Sequence, residues 1–176
     1  MPNIKDVRYV KFRVSDLRKQ QQFLHDFGLH TNIDNGVLVA RGTDTSPYIY
    51  LAEEGPTPAF VSVGFLADSE AQLREIAAMD GVAVTENPLE GGGLIAQLTD
   101  PNGFTVDVVA NIAAAAPLAV ADRSGFNQGD AKQRLGERVA FSQTDCFIKR
   151  LGHVVLMVND FATTLEWYQR RFGLLV

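Results

Sequence analysis

One pattern, strand–helix–strand–strand–strand, occurs twice before residue 110 and begins again near residue 151. This repetition limits the fold more than any other feature of the chain. A unit of about fifty residues that repeats in tandem folds as paired copies, because one copy has too little interior to bury its apolar face alone. In the first copy VRYVKFRV (7–14) alternates in character and reads as a half-buried strand. Ser15 or Asp16 can cap a helix through LRKQQQFLHDF, with Leu17, Gln20, Phe23, Leu24 and Phe27 on one face. Gly28 stands where a helix commonly ends. Strand-like runs follow at 29–33, at 37–41 after the Asp34-Asn35-Gly36 turn, and at 48–53.

The second copy repeats the order. Pro56 and Pro58 punctuate a linker, and AFVSVGFLA (59–67) reads as a buried strand. Asp68 or Ser69 can cap a helix through EAQLREIAAM, with Leu73, Ile76 and Ala77 on one face and Asp80-Gly81 at its end. VAVTEN, GLIAQLTD after Gly91-Gly92-Gly93, and FTVDVV (104–109) supply three more strands.

Residues 111–148 break the pattern. The Ala113–Ala116 run can form a short helix that Pro117 limits, and ADRSGFNQGDAKQRLGER lacks strand alternation. A structureless loop of that length is unusual inside one domain, so the segment reads as an ordered connection between domains. LGHVVLMVNDFATTLEWYQRRFGLLV (151–176) then matches the opening of the chain. Asp160 falls under Asp16 and Val158 under Val14 by one common shift. Phe-Gly-Leu recurs at 27–29 and 172–174, with one residue inserted in the second helix. The expected organisation is α+β, built of tandem βαβββ modules: a two-module domain over 1–110, a connector over 111–148, and the first βα unit of a truncated second domain over 149–176.

Composition narrows the class of function. Sixteen Lys and Arg against twenty-one Asp and Glu leave a net charge of −5, which argues against a nucleic-acid surface. No apolar run approaches the ~20 residues of a membrane span, and the first residues lack a signal-peptide core. The single cysteine, Cys146, makes no internal disulfide and suits a reducing cytoplasm. The expectation is a cytoplasmic protein with no nucleic-acid or membrane partner. Cys146 has no neighbouring base and reads as structural. Gly91–Gly93 lacks the Lys-Ser/Thr of a phosphate loop and reads as a turn. Arg170-Arg171 and Lys149-Arg150 read as a solvated helix face and a strand entry.

His25 and His30 sit among polar neighbours and read as surface residues. His153 is different, because it lies inside the apolar run LGHVVLMV. Two readings stand open: a buried histidine satisfied by a backbone carbonyl, or a metal ligand, since neutral imidazole suits borderline metals.

The tandem βαβββ modules resemble the vicinal oxygen chelate superfamily, which includes glyoxalase I, bleomycin-resistance proteins and type I extradiol dioxygenases. DPNGFTVDVV (100–109) is similar to its final-strand signature, Asp-Pro-x-Gly-x-x-x-Glu, and RLGHVVLMVNDFATTLEWYQRRFGL (150–174) resembles the opening of its metal-binding domain. The resemblance implies the glyoxalase/bleomycin-resistance/dihydroxybiphenyl-dioxygenase fold, with His153 at the first-ligand position. Carried onto the first two modules, the ligand positions hold Tyr9, Ser62 (in VSVGF against His-Ile-Ala-Phe) and Asp107. That set is poor for Fe(II) or Zn(II), and Asp107 reads as a strand-end or inter-strand polar group, exposed as lone carboxylates usually are. A silent first domain before a ligand-bearing second is the arrangement of extradiol dioxygenases. The resemblance therefore implies part of an enzyme that uses Fe(II), or Mn(II), to cleave a catechol-type aromatic ring with O₂. The fragment itself would hold no full metal site, and a homo-oligomer is the expected assembly. The alternatives are a glyoxalase-type metal-dependent lyase or isomerase, and a metal-free small-molecule-binding protein of the bleomycin-resistance kind.

Overall fold

The computed structural model describes residues 3–120 and 147–174. The first module is β1 (Ile4–Val14), α1 (Leu17–Asp26), β2 (His30–Asp34), β3 (Val37–Arg41) and β4 (Tyr50–Glu54). The second is β5 (Ala59–Ala67), α2 (Glu70–Asp80), β6 (Val84–Glu86), β7 (Leu94–Thr99) and β8 (Thr105–Ala110). All eight strands form one sheet in the order β2-β3-β4-β1-β5-β8-β7-β6. Read outward from the β1–β5 seam, the order is the same in both directions. Each module puts its opening strand at the centre and its last strand beside it in parallel; the two middle strands continue outward antiparallel. The sequence repeat thus becomes a two-fold-like arrangement, and the antiparallel seam matches Tyr9 with Gly64 and Lys11 with Ser62.

Local chemistry explains most boundaries. The Asp16 carboxylate accepts from the Lys19 backbone N–H at 3.0 Å and Ser69 Oγ from that of Gln72 at 3.3 Å, each satisfying a free donor at a helix start. Asn35 and Gly36 both have positive φ (47° and 78°), the geometry of a tight hairpin between β2 and β3. The buried face of α1 differs from the expected one. Leu17 and Leu24 are buried, but Phe23 and Phe27 are exposed and stack on each other at 5.9 Å. The half-buried Gln20 and Gln21 lie between the two leucines, so the helix rests on the sheet by a narrower stripe than the phenylalanines suggested.

Alternation divides the core. Leu51 joins one cluster with Tyr9, Tyr48 and Val109, while its neighbour Ala52 joins another with Leu17, Leu24 and Leu38. Val106 and Val108 pack with Leu73 and Ile76 of α2, whereas Val109 points the other way. Helices therefore cover one face of the sheet, and the other face encloses a small interior around Tyr9.

Two expectations for the rest of the chain are corrected. Residues 111–120 form no helix. Ala113 N–H donates to Gly91 O, Ala115 N–H to Thr45 O and Leu118 N–H to Thr43 O, so the alanine run lies against the loops. Residues 151–158 form no paired strand among the described residues, although burial alternates from 153 to 158 as a strand's would. The expected helix follows as α3 (Phe161–Phe172), capped by Asp160 and closed by Gly173 at φ 63°. Residues 121–146, Cys146 among them, lie outside the described residues.

The third unit packs on the second module. Tyr168 and Phe172 are buried in the α2 cluster, joined by Val154, Leu156 and Trp167. Each of the two rings contributes about 1.5–3 kcal/mol by leaving water. Arg171 is not solvated as expected: its Nε donates to Asp80 Oδ2 at 2.7 Å, and its guanidinium lies 4.4 Å from the Trp167 ring centre. The Asp-Pro-Asn-Gly turn docks the unit. Asp100 Oδ1 accepts from the N–H groups of Asn102 and Phe104 at 2.8 and 2.9 Å, while its Oδ2 accepts from Tyr168 Oη at 3.3 Å. Asn102 donates to Thr164 Oγ1 at 2.9 Å and accepts from the Asn159 N–H at 3.0 Å.

Candidate functional site

Tyr9, Ser62 and Asp107 meet at one point. Asp107 Oδ2 accepts from Tyr9 Oη at 2.7 Å and from Ser62 Oγ at 2.6 Å; Oδ1 accepts from Gln97 Nε2 at 2.9 Å. The sheet order brings them together, since β1, β5 and β8 are adjacent. Tyr9 is 1%, Ser62 1% and Asp107 2% exposed, so Asp107 is an inter-strand polar group as read, but a buried one rather than the exposed one expected. A lone carboxylate is costly to bury, but one that accepts three hydrogen bonds is compensated. Gly64 completes the fit, because a Cβ there would fall on the Tyr9 ring.

These donors do not fit Fe(II) or Mn(II). There is no imidazole, and both Asp107 oxygens are already engaged. Burial pushes the Tyr9 phenol well above its ordinary value, followed by the Asp107 charge and the hydrogen bond to it. A phenolate ligand is therefore suppressed. The cluster is a closed hydrogen-bonded knot tying β1, β5 and β8. No group of three or more His, Cys, Asp or Glu among the described residues could hold a metal ion.

Sequence reasoning missed the supports of this knot. Tyr48 is fully buried, packs edge-on against Tyr9 at 5.3 Å between ring centres, and accepts from Asn87 Nδ2 at 2.9 Å. The same Asn87 amide donates to Gly92 O, so the Gly91–Gly93 run is the turn expected of it. Gln97 faces Asp107 across β7 and β8. Only its place opposite a carboxylate could have marked it, and that register is not visible before the sheet is assembled.

His153 stands apart from this knot. It is exposed and has no hydrogen-bond partner among the described residues, so the reading as a buried histidine fails. Val155 and Met157 share its side of the segment at 79% and 91% exposed, while Val154 and Leu156 face the second module's core. By the repeat, His153 corresponds to Tyr9, Val155 to Lys11 and Met157 to Arg13. The segment therefore turns outward the side that in β1 carries Tyr9. His25 and His30 are exposed, as expected.

No family model matches the chain. It is 26% identical, over 97% of its length, to a 3-methylcatechol 2,3-dioxygenase from Pseudomonas putida, and spans 57% of that relative. Among solved structures, an Mn(II)-bound glyoxalase from Novosphingobium aromaticivorans superposes with a TM-score of 0.61 at 18% identity, over 69% of this chain and 44% of that one. Homoprotocatechuate 2,3-dioxygenase from Brevibacterium fuscum, in its anaerobic complex with 3,4-dihydroxyphenylacetate, gives 0.60 at 21% identity, over 66% and 40%. The fold is that of the glyoxalases and extradiol dioxygenases, the vicinal oxygen chelate fold. No helix among the described residues is long and apolar enough to cross a membrane.

Proposed function

We propose that this chain is the N-terminal part of an extradiol-type dioxygenase that cleaves a catechol-class ring with O₂. In this reading 1–110 is a metal-free scaffold domain, 111–148 a connector, and 149–176 the opening of the domain that holds the metal. The carrying observation is the contrast between two equivalent positions. Tyr9 is locked on Asp107, which also holds Ser62, in the first domain, whereas its counterpart His153 presents a free imidazole beside the apolar Val155 and Met157. An imidazole suits Fe(II), with Mn(II) as the alternative, and an apolar wall suits an aromatic ring. His153 alone holds no metal; two further ligands would come from later strands, which would also cover Val155 and Met157. The likeness to a 3-methylcatechol 2,3-dioxygenase supports the substrate class.

The reading frame beyond Val176 provides the test. It should encode a histidine in the first strand of a further module and a glutamate after an Asp-Pro-x-Gly phrase. The longer protein, loaded anaerobically with Fe(II), should bind close to one metal per chain and consume O₂ with 3-methylcatechol. His153→Ala should abolish both. If neither ligand is encoded, the dioxygenase reading fails. Metal binding without O₂ uptake would point instead to lyase or isomerase chemistry of the glyoxalase kind. The closed Tyr9–Ser62–Asp107 knot favours the second reading, a metal-free binding protein, if the longer protein takes up no metal.

A further inference from the structure

A second site lies where the chain returns from the connector. Residues 148–149 run beside the loop after β3: the Thr43 N–H donates to Ile148 O at 2.9 Å and the Asp44 N–H to Lys149 O at 3.2 Å. Gly42 permits this approach, since a Cβ there would collide with the carbonyls of Ile148 and Lys149. Between this junction and the start of β1 is a cleft of about 240 Å³.

Its charges do not balance. Lys5, Arg8 and Arg150 line it against Asp6 and Asp44, an excess of positive charge in a chain whose net charge is −5. Asp6 pairs with Arg150 at 3.2 Å, and Asp44 Oδ1 accepts from the Thr45 N–H at 2.8 Å. Arg8 donates from Nη1 to Ser46 Oγ at 3.0 Å, but among the described residues forms no ion pair and leaves a buried Nε without a partner. A buried unpaired donor costs about 1–3 kcal/mol. Burial lowers the Arg8 pKa, partly offset by Tyr48 and Asp6, and a guanidinium so placed remains charged. The rest of the lining combines Thr45 and Ser46 with the apolar Val7, Ile49, Leu66 and Leu151.

We propose that this cleft binds a small organic carboxylate, its carboxyl group on the Arg8 guanidinium and its apolar body against Val7, Ile49, Leu66 and Leu151. Nε is buried in the unliganded cleft, so binding requires the guanidinium to turn its Nε edge outward, where a two-oxygen acceptor would take Nε and Nη2 together. Bare phosphate would leave the apolar walls uncovered. Because Leu151 and Arg150 belong to the third unit and Lys5 to Arg8 to β1, an occupant would bridge the two. The proposal is independent of the ring-cleavage reading.

Titration with sodium benzoate at constant ionic strength, followed by ¹H–¹⁵N NMR, tests it. Saturable shifts are expected at Lys5–Arg8, Thr45, Ser46 and Arg150. Acetate and benzyl alcohol, each lacking half of the ligand, should bind about tenfold more weakly. Arg8→Met should weaken benzoate by about tenfold or more. Exposed Lys5→Gln, which should fold normally, should weaken it by roughly two- to threefold through lost long-range attraction. Four outcomes would overturn the proposal: no saturation, benzyl alcohol equal to benzoate, phosphate equal to or tighter than benzoate, or unchanged benzoate affinity in both variants.

Discussion

Strand β1 and residues 151–158 have related sequences and opposite surroundings. β1 lies at the centre of the sheet, paired on both sides, and its Tyr9 side faces an enclosed interior. There Lys11 and Arg13 flank Glu53 of β4 at 2.8 and 2.9 Å and hold its carboxyl below the usual range, chiefly through the Lys11 hydrogen bond. Residues 151–158 pack one side on the second module and leave His153, Val155 and Met157 in the open. The difference teaches that alternation specifies a strand's two faces, but the ladder needs partners the segment does not itself contain.

The largest effect should come from the knot. Asp107→Ala strands two buried hydroxyls and should lower the unfolding free energy by about 3–5 kcal/mol in urea. A cost under about 1 kcal/mol would mean that the knot does not hold the central strands together. Phe172→Ala comes next, at about 3–4 kcal/mol, because the ring is wholly buried among second-module side chains. If it proves neutral, the third unit is not packed on the first domain at all.

Alkali gives a graded test. Tyr9, Tyr48 and Tyr168 have phenols raised above 10.0 in the folded chain, mainly by burial. Their contribution is fully present below the unfolded value and is lost as pH rises towards the folded one, because only the unfolded chain then releases the proton. Stability should fall above about pH 10 by up to about 1.4 kcal/mol per pH unit for each buried phenol. Tyr9→Phe should make that fall shallower in thermal melts; an unchanged slope would place Tyr9 in water. The smallest effect is expected on the open side. Val155→Ser with Met157→Ser should change stability by less than about 0.5 kcal/mol in this chain. The same pair should cost about 2 kcal/mol or more in a longer protein whose later strands cover them.

Much of the fold was legible from residue order. The Asp34-Asn35-Gly36 turn and the helix caps rest on interactions within a few residues, and each cap fell on one of the two candidates, Asp16 and Ser69; the strand over 59–67 formed where its apolar run was read. Failures occurred where distant parts decide. Phe23 and Phe27 have the spacing of a buried face, yet the sheet meets the helix at Leu17 and Leu24. Arg171 has the composition of a solvated face until Asp80 and Trp167 arrive from 91 residues away and from one turn back. Asp107 reads as an exposed polar group because two of its three donors lie 98 and 45 residues distant in the chain, and the third, Gln97, faces it only once β7 and β8 pair.

The repeat by itself determined the modules, the order of elements along the chain within each copy and the correspondence of Tyr9 with His153, because local periodicity and internal likeness are properties of the chain alone. Only the tertiary structure decided that Tyr9, Ser62 and Asp107 close on one another and that His153 faces outward. Burial and hydrogen-bond partnership depend on which strands become neighbours, and that is settled when the two modules pair across β1 and β5.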